Sequence, residues 1–152
     1  MVARLVSVIG AGSPTPGQYE TAVAVGRAAA RAGLGVVTGG LGGVMEAACR
    51  GCSEEGGTTV GIIPGTDPAQ ANPYCTIVIP TGMGQARNVL VVLTGIGAVA
   101  IGGGPGTLSE IGHALKAGKV VVGIDTWDVK GLVRAQEPEE AVARLIELTS
   151  RP

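Results

Sequence analysis

The stretch GGGPGTLSE, residues 102–110, follows the apolar segment Ile96–Ile101 and opens a predicted helix. Glycines at a strand-to-helix turn let bare backbone N–H groups approach an anion at the positive end of the helix. The stretch therefore predicts a phosphate site. Its cradle is predicted to consist of Gly103, Gly104, Gly106 and Thr107.

Runs rich in Val and Ile alternate with longer Ala- and Leu-rich segments along the chain. The predicted strands are Leu5–Ile9, Gly35–Thr38, Thr59–Ile63, Thr76–Ile79, Ala98–Ile101 and Val120–Ile124. The predicted helices are Gly17–Ala32, Gly43–Cys52, Gln85–Thr94, Thr107–Ala117 and Pro138–Thr149. Continuous apolar runs are typical of buried parallel strands. We predict an α/β fold over residues 1–152, a single Rossmann-like domain with a doubly wound, mainly parallel sheet flanked by helices.

Composition excludes several classes of function. The formal net charge is -1, from 11 basic and 12 acidic residues mixed along the chain, so no basic surface for nucleic acid is indicated. The longest apolar stretch, Val89–Ile101, is interrupted by Thr94-Gly95 and is too short for a membrane span. The first residues, Met1–Gly10, resemble a strand rather than a secretion signal. We expect a cytoplasmic protein with no nucleic-acid or membrane partner.

Gly10-Ala11-Gly12 follows the first predicted strand but lacks the third glycine of a dinucleotide fingerprint. The second strand ends without an acidic residue for a ribose, and no Gly-Lys-Ser/Thr sequence occurs, so nicotinamide and P-loop sites are rejected. Gly12 and Ser13 are predicted ligand contacts. The alternative is a simple strand-to-helix turn, with Thr15 and Gln18 forming a capping box.

A second glycine loop follows the second predicted strand. Its candidate ligand contacts are Gly39, Gly40, Gly43 and Met45. In the alternative interpretation the glycines supply only the turn, Met45 packs, and Glu46 complements the helix dipole. Two glycine loops at equivalent strand ends favour a shared ligand, one loop holding its phosphate and the other its sugar or base.

Arg87 lies in the first turn of a predicted helix, where a cation opposes the helix dipole unless an anion offsets it. That anion is predicted to be a carboxylate, from Glu110 or Glu46, or a ligand phosphate. The remaining alternative is an arginine that extends into solvent. Glu110 also has two interpretations, because Thr107-x-x-Glu110 fits a capping box and a carboxylate beside a phosphate loop can act as a base.

Three cysteines do not form a disulfide framework, so we expect reduced thiols. Cys49-x-x-Cys52 falls late in a predicted helix, where the dipole does not activate a thiol, so redox work by this pair is not expected. A zinc site needs two more ligands, and Cys75 and His113 lie on other elements. We predict no metal site.

Three of these motifs together resemble the Lonely Guy family of the lysine decarboxylase-like superfamily. They are Gly103-Gly104-Pro105-Gly106-Thr107-Leu108-Ser109-Glu110, Gly39-Gly40-x-x-Gly43-Val44-Met45 and Arg87. The resemblance implies a Rossmann-like fold, at least a dimer, and hydrolysis of the bond between base and ribose in a nucleoside 5'-monophosphate. It makes the glycine loop and Thr107 the phosphate contacts and makes Arg87 and Glu110 the catalytic pair. An orienting carboxylate suits the oxocarbenium-like sugar of such a reaction.

The chain departs from the family pattern at several positions. Gly102 replaces a proline, Asn88 replaces a lysine, and Thr38 and Glu46 replace glycines. Asn72-Pro73-Tyr74 and Gly84-x-Ala86-Arg87-Asn88 are closer to a sister branch that includes molybdenum-cofactor carrier proteins and uncharacterised bacterial proteins. Two functions therefore stay open: a phosphoribohydrolase, or a non-catalytic carrier of molybdenum cofactor or a related phosphorylated pterin. The resemblance also implies a homodimer or homotetramer.

Overall fold

The computed structural model describes residues 3–150, which form one sheet covered by helices on both faces. The strands are β1 (Leu5–Gly10), β2 (Gly35–Thr38), β3 (Thr59–Ile63), β4 (Ile77–Pro80), β5 (Ala98–Ile101), β6 (Val121–Ile124) and β7 (Val133–Arg134). The α-helices are α1 (Pro16–Arg31), α2 (Val44–Glu54), α3 (Arg87–Thr94), α4 (Pro105–Lys116) and α5 (Pro138–Thr149). Short 3-10 turns occupy Pro68–Gln70 and Gly84–Ala86.

All neighbouring strands are parallel, in the order β4-β3-β2-β1-β5-β6-β7. The chain winds outward from β1 in one direction and from β5 in the other, so the strand order reverses between β1 and β5. This confirms the predicted doubly wound α/β fold. In such sheets the crevice beyond the carboxyl ends of the strands at the reversal is the usual ligand site.

Two apolar layers enclose the sheet. Side chains of α1, α2 and α5 pack on one face, and side chains of α3 and α4 pack on the other. The first two helices approach closely at Gly51, where an added Cβ would lie 1.9 Å from the carbonyl oxygen of Val23. In residues 3–150 no helix is both long and apolar enough to cross a membrane, and α1, the longest, has 16 residues.

The prediction of buried strands is wrong for β4. Ile77 and Ile79 on this edge strand are 49% and 44% exposed, because β4 has a neighbouring strand only on its β3 side and no helix covers these side chains. The sequence also gave no sign of β7, which is two residues long and too short to show a pattern. The segment between β3 and β4 holds one 3-10 turn and no α-helix, as expected.

Candidate functional site

Three glycine loops meet where the strand order reverses. They follow β1, β2 and β5, and between them lies a cleft of about 300 Å³, which matches the smaller ligand sites of proteins. The cleft is lined by Val8, Ile9, Gly10, Gly12, Gly39, Leu41, Met45, Gln85, Arg87, Asn88, Gly104, Pro105, Gly106, Thr107 and Glu110. A small polar ligand fits a cleft of this volume.

The loop after β5 takes a backbone path that only glycine follows easily. Gly102 and Gly103 have φ angles of 58° and 102°, and a Cβ on Gly103 would lie 2.1 Å from the hydroxyl of Thr107. Helix α4 then begins at Pro105 with Gly104 as its N-cap, and no side chain caps the first turn. The positive end of α4 therefore faces the cleft with glycine instead of a capping oxygen.

The predicted capping box between Thr107 and Glu110 is wrong. Proline favours the first position of a helix, so α4 begins at Pro105, and Thr107 lies inside the first turn rather than before it. Thr107 is 4% exposed and lines the cleft. Glu110 therefore does not cap the helix, and its carboxyl group lines the cleft instead. The capping box predicted at Thr15 and Gln18 is confirmed at the start of α1.

Side chains beyond β6 hold the β5 loop in place. The hydroxyl of Thr126 donates to the carbonyl of Gly102 at 2.6 Å, and Nε1 of Trp127 donates to the carbonyl of Gly104 at 3.0 Å. Asp125 has a left-handed backbone with φ of 50°, and its carboxylate accepts a hydrogen bond from the Gln18 side chain at 3.1 Å. Sequence reasoning missed this clamp, because no local pattern links residues 125–127 to the glycine loop.

The loop after β2 is anchored on the loop after β1. The backbone N–H of Val44 donates to the carbonyl of Ala11 at 3.0 Å, and a Cβ on Gly43 would lie 2.5 Å from the carbonyl oxygens of Ala11 and Gly12. Gly43 has a φ of 69°, so glycine is required there on both counts. The first two loops therefore form one rigid wall of the cleft.

Arg87 is buried under this wall, with 6% of its surface exposed. Its Nη2 donates to the carbonyl of Gly39 at 3.2 Å, and its Nη1 donates to the side chain of Asn88. Its Nε is buried and has no hydrogen-bond partner. The interpretation of Arg87 as a solvated arginine is therefore wrong.

The carboxylates proposed as partners do not pair with Arg87 within residues 3–150. Glu46 accepts instead from the hydroxyl of Tyr19 at 3.4 Å, and no oxygen of Glu110 lies within 4.0 Å of the guanidinium nitrogens. Burial lowers the pKa of Arg87 from its usual value, and Glu110 offsets part of that change through longer-range attraction. Neither carboxylate predicted from the sequence is therefore a direct partner of Arg87.

The carboxyl group of Glu110 has an unusual affinity for protons. Burial raises its pKa to about 7, although the positive charge of Arg87 lowers it in part. A carboxyl group with a pKa in this range can transfer a proton or donate a hydrogen bond to a ligand near neutral pH.

The predicted site residues divide into two groups. Those that line the cleft are Gly12, Gly39, Met45, Arg87, Gly104, Gly106, Thr107 and Glu110. Those that lie outside its lining are Ser13, Gly40, Gly43 and Gly103. Gly40, Gly43 and Gly103 adopt positive φ angles and shape the loops, whereas Ser13 is exposed. Asn88 and Gln85 also line the cleft and were not predicted. Their closeness to Arg87 in the sequence was the available signal.

Among residues 3–150 there is no group of three or more His, Cys, Asp or Glu side chains that could hold a metal ion. All three cysteines are unpaired thiols. The polar groups of the cleft are backbone amides, the side chains of Gln85, Asn88 and Thr107, the buried guanidinium of Arg87 and the carboxyl group of Glu110. This donor set is suited to an anion.

A doubly wound parallel sheet with glycine loops at its reversal point places the chain in the Rossmann-like class of proteins. Within that class the chain belongs to the SLOG cluster4 family, whose model matches residues 3–150. This match, with the solved structures below, confirms the resemblance to the Lonely Guy and lysine decarboxylase-like superfamily and to its molybdenum-cofactor carrier branch.

Three relatives extend over nearly the whole chain. An uncharacterized protein of Archaeoglobus fulgidus is 42% identical over 138 residues, which cover 90% of this chain and 91% of the relative. The molybdenum cofactor binding protein from the phototrophic bacterium Rippkaea orientalis has a TM-score of 0.93 and 31% identity, with 99% of both chains covered. The molybdenum cofactor carrier protein of Chlamydomonas reinhardtii has a TM-score of 0.90 and 33% identity, with 99% and 100% covered.

Proposed function

We propose that this chain binds a phosphorylated small molecule in the cleft between its glycine loops and serves as a carrier of molybdenum cofactor or a related phosphorylated pterin. The observation that carries the proposal is Arg87, a buried arginine that has an unpaired Nε and, among residues 3–150, no carboxylate partner. A buried cation without a counter-ion is costly, and a ligand phosphate in the cleft would supply the missing charge.

The β5 loop supports the same ligand from the opposite side. Helix α4 presents its positive end to the cleft, and Gly104 and Gly106 leave room for an anion to reach the backbone. In our proposal the phosphate lies against Gly104, Gly106 and Thr107 and pairs with Arg87. Gly12, Gly39 and Met45 then contact the remainder of the ligand.

The carrier function is favoured by the two solved relatives that are named for molybdenum cofactor. Their similarity covers 99% of this chain, so it includes every loop of the cleft. A carrier must hold its ligand without reacting with it. Asn88 stands where the family enzymes carry a lysine, so this cleft has one positive charge fewer. A carrier does not stabilise a transition state and therefore does not need that charge.

Loading with the cofactor tests the carrier proposal. The purified protein is mixed with molybdenum cofactor released from a molybdoenzyme and separated by gel filtration. Molybdenum is measured by mass spectrometry and the pterin by its fluorescence after oxidation. We expect both to elute with the protein in equal amounts, and the bound cofactor to reactivate a cofactor-free molybdoenzyme. Elution of the cofactor apart from the protein, or its release in a cleaved form, would contradict the proposal.

A second candidate function is the hydrolysis of a nucleoside 5'-monophosphate to base and ribose 5-phosphate. It is favoured by the carboxyl group of Glu110, whose pKa is raised to about 7 in the same cleft as Arg87. The test is incubation with AMP and chromatographic detection of adenine. Adenine release that is lost in Glu110→Gln and retained in the control Glu139→Gln, at an exposed position of α5, would favour the hydrolase over the carrier.

We also propose that the protein forms a homodimer or homotetramer through an apolar surface made by β4 and α3. Its exposed side chains are Ile77, Ile79, Met83, Leu90 and Leu93. Ile77 and Ile79 of β4 pair in register with Val60 and Ile62 of β3. The side chains of this β3 pair lie in the apolar layer beneath α3 and α4. The exposed side chains of β4 and α3 therefore lie on the same side of the sheet. Between residues 76 and 94 the charged residue is Arg87, which is buried. A second copy can therefore face this surface without like-charge repulsion.

Sedimentation tests the surface. Leu93→Glu is expected to shift the protein from dimer or tetramer to monomer, because it places a charge within the apolar contact. His113→Glu, on an exposed position of α4 outside this surface, is the matched control and should leave the oligomer intact. A wild-type protein that sediments as a monomer would contradict the proposal.

We also propose a cytoplasmic location, where reduced cysteines such as these three are usual.

A further inference from the structure

Two cysteines that are distant in sequence meet behind the second glycine loop. Sγ of Cys49, in the middle of α2, lies 4.0 Å from Sγ of Cys75, which precedes β4. Cys75 packs over Gly61 of β3, where an added Cβ would lie 2.6 Å from the sulfur. Cys49 is fully buried, whereas Cys75 is partly exposed. The two sulfurs are therefore in van der Waals contact, and the pair is open to solvent on the Cys75 side.

The surroundings of the pair favour a thiolate on Cys49. Hydrogen bonds from Cys75, Thr38 and Asn72 lower the pKa of the Cys49 thiol, although burial opposes this effect. The hydroxyl of Thr38 lies 3.5 Å from the Cys49 sulfur. The pKa of the Cys75 thiol is raised, chiefly by its hydrogen bond with Cys49, so Cys75 holds its proton more tightly than Cys49 does. Such an arrangement places a thiolate, which can accept a proton, beside the more exposed sulfur of Cys75.

The pair also touches the wall of the cleft. The backbone N–H of Asn72 donates to the carbonyl of Gly40 at 2.8 Å, and its side chain donates to the carbonyl of Leu41 at 3.0 Å. Thr38, which contacts Cys49, accepts from the N–H of Gly40 at 3.0 Å. The segment 72–75 is thus the support of the glycine loop on one side, and α2 adjoins it on the other.

We propose that Cys49 and Cys75 form a reversible peroxide-oxidised site, in which a disulfide joins α2 to the segment that supports the second glycine loop. In the first step Cys49 takes the proton of the Cys75 thiol, the Cys75 thiolate attacks hydrogen peroxide and breaks its O–O bond, and the released hydroxide takes that proton from Cys49 and leaves as water. This step gives a sulfenic acid on Cys75. In the second step the Cys49 thiolate attacks the Cys75 sulfur and displaces hydroxide, which takes a proton from solvent. The two sulfurs lose two electrons, and peroxide is reduced to two waters.

The geometric requirement of this step is modest. A disulfide needs about 2.05 Å between the sulfurs, so the pair must close by about 2 Å from its present 4.0 Å. Cys75 lies outside the helices and strands, so the segment that bears it can supply most of the movement. The product joins the segment 72–75 covalently to α2, and Asn72 of this segment holds the carbonyls of Gly40 and Leu41 by hydrogen bonds.

Thiol counting and peptide mapping test the proposal on the full chain. The reduced protein is treated with hydrogen peroxide, alkylated and digested, and the cross-linked peptides are identified by mass spectrometry. We expect a loss of two of the three alkylatable thiols, a mass decrease of two hydrogens, and a peptide joined through Cys49 and Cys75. A thiol reductant should restore all three thiols.

Cys52 provides the matched control, because it lies on the same helix and its burial raises the pKa of its thiol to about 11. Cys52→Ala should form the bond as the wild type does, while Cys49→Ala and Cys75→Ala should not. A bond between Cys49 and Cys52 would overturn the proposal. It would also be overturned if Cys75 oxidised to a sulfinic acid without loss of a second thiol, or if peroxide left all three thiols of the folded chain unreacted. Peptide mapping of the wild type decides the question even if a cysteine variant does not fold.

Discussion

Replacement of Arg87 by methionine should weaken the binding of a phosphorylated ligand while leaving the free energy of unfolding of the ligand-free protein almost unchanged. Methionine has a similar length and keeps the side chain buried, but it removes the charge and the Nε donor that has no partner. A charged hydrogen bond to a phosphate contributes roughly 1.5 to 3 kcal/mol, which corresponds to an affinity roughly 10- to 150-fold weaker in Arg87→Met. We expect this loss in titration calorimetry with molybdenum cofactor and with AMP as a second phosphorylated probe.

The stability of the ligand-free variant should change little. The substitution leaves the Gly39 carbonyl without its donor, which costs about 1 to 3 kcal/mol, but it also removes a buried guanidinium whose desolvation costs a comparable amount. The free energy of unfolding in urea should therefore stay within about 1 kcal/mol of the wild type. A structural arginine would behave in the opposite way, with a large loss of stability on replacement.

Arg50→Met is the matched control for both measurements. Arg50 lies on α2 with a partly exposed side chain and pairs with Glu54 at 3.0 Å, so the same chemical change falls outside the cleft. Its affinity should equal that of the wild type. If Arg87→Met binds both phosphorylated ligands as tightly as the wild type does, Arg87 is not the phosphate partner and the reasoning fails.

Two further predictions concern Glu110 and the contact between α1 and α2. The pKa of Glu110 rises on folding from its ordinary 4.5 to about 7. The contribution of Glu110 to the free energy of unfolding is therefore complete below pH 4.5. It is lost, by about 3 kcal/mol, as the pH rises through 7. Glu110→Gln should remove this loss from urea unfolding at pH 5 and pH 8, whereas equal pH dependence in variant and wild type would contradict the burial of Glu110. Gly51→Ala should destabilise the protein by about 1 to 3 kcal/mol, because its Cβ would lie 1.9 Å from the Val23 carbonyl. The control is Gly112→Ala, at an exposed position in the middle of α4, where an added Cβ meets no atom within 4 Å. This substitution should stabilise the protein by up to about 1 kcal/mol, and a destabilising Gly112→Ala would show that the effect at Gly51 is not steric.

Periodicity in the sequence predicts most of this fold because buried parallel strands are short apolar runs separated by helices. The six predicted strands lie within a residue or so of β1–β6. The exposure of β4 was missed because an apolar run indicates burial but not which partner buries it. The oligomer contact proposed above would bury the exposed side chains of Ile77 and Ile79.

The candidate site was predictable where the signal was local. Glycines at strand ends identified the loops, and the position of Arg87 in a first turn indicated an anion. The start of α4 was misplaced because a capping-box pattern was preferred to Pro105, which favours the first helical position. The meeting of Cys49 with Cys75 and the clamp from Thr126 and Trp127 required the tertiary structure, since 26 residues separate the cysteines and 23 or more separate the clamp from its loop.

The clamp on the β5 loop has a consequence for the thermodynamics of binding. Thr126 and Trp127 hold the carbonyls of Gly102 and Gly104 in the free protein, so the conformational entropy of this glycine-rich segment is lost on folding and not on ligand capture. Association then requires little reorganisation, and affinity reflects the contacts themselves. Residues 125–127 lie outside the cleft lining, so a chain of this architecture can exchange the residues that contact its ligand while keeping the loop preorganised.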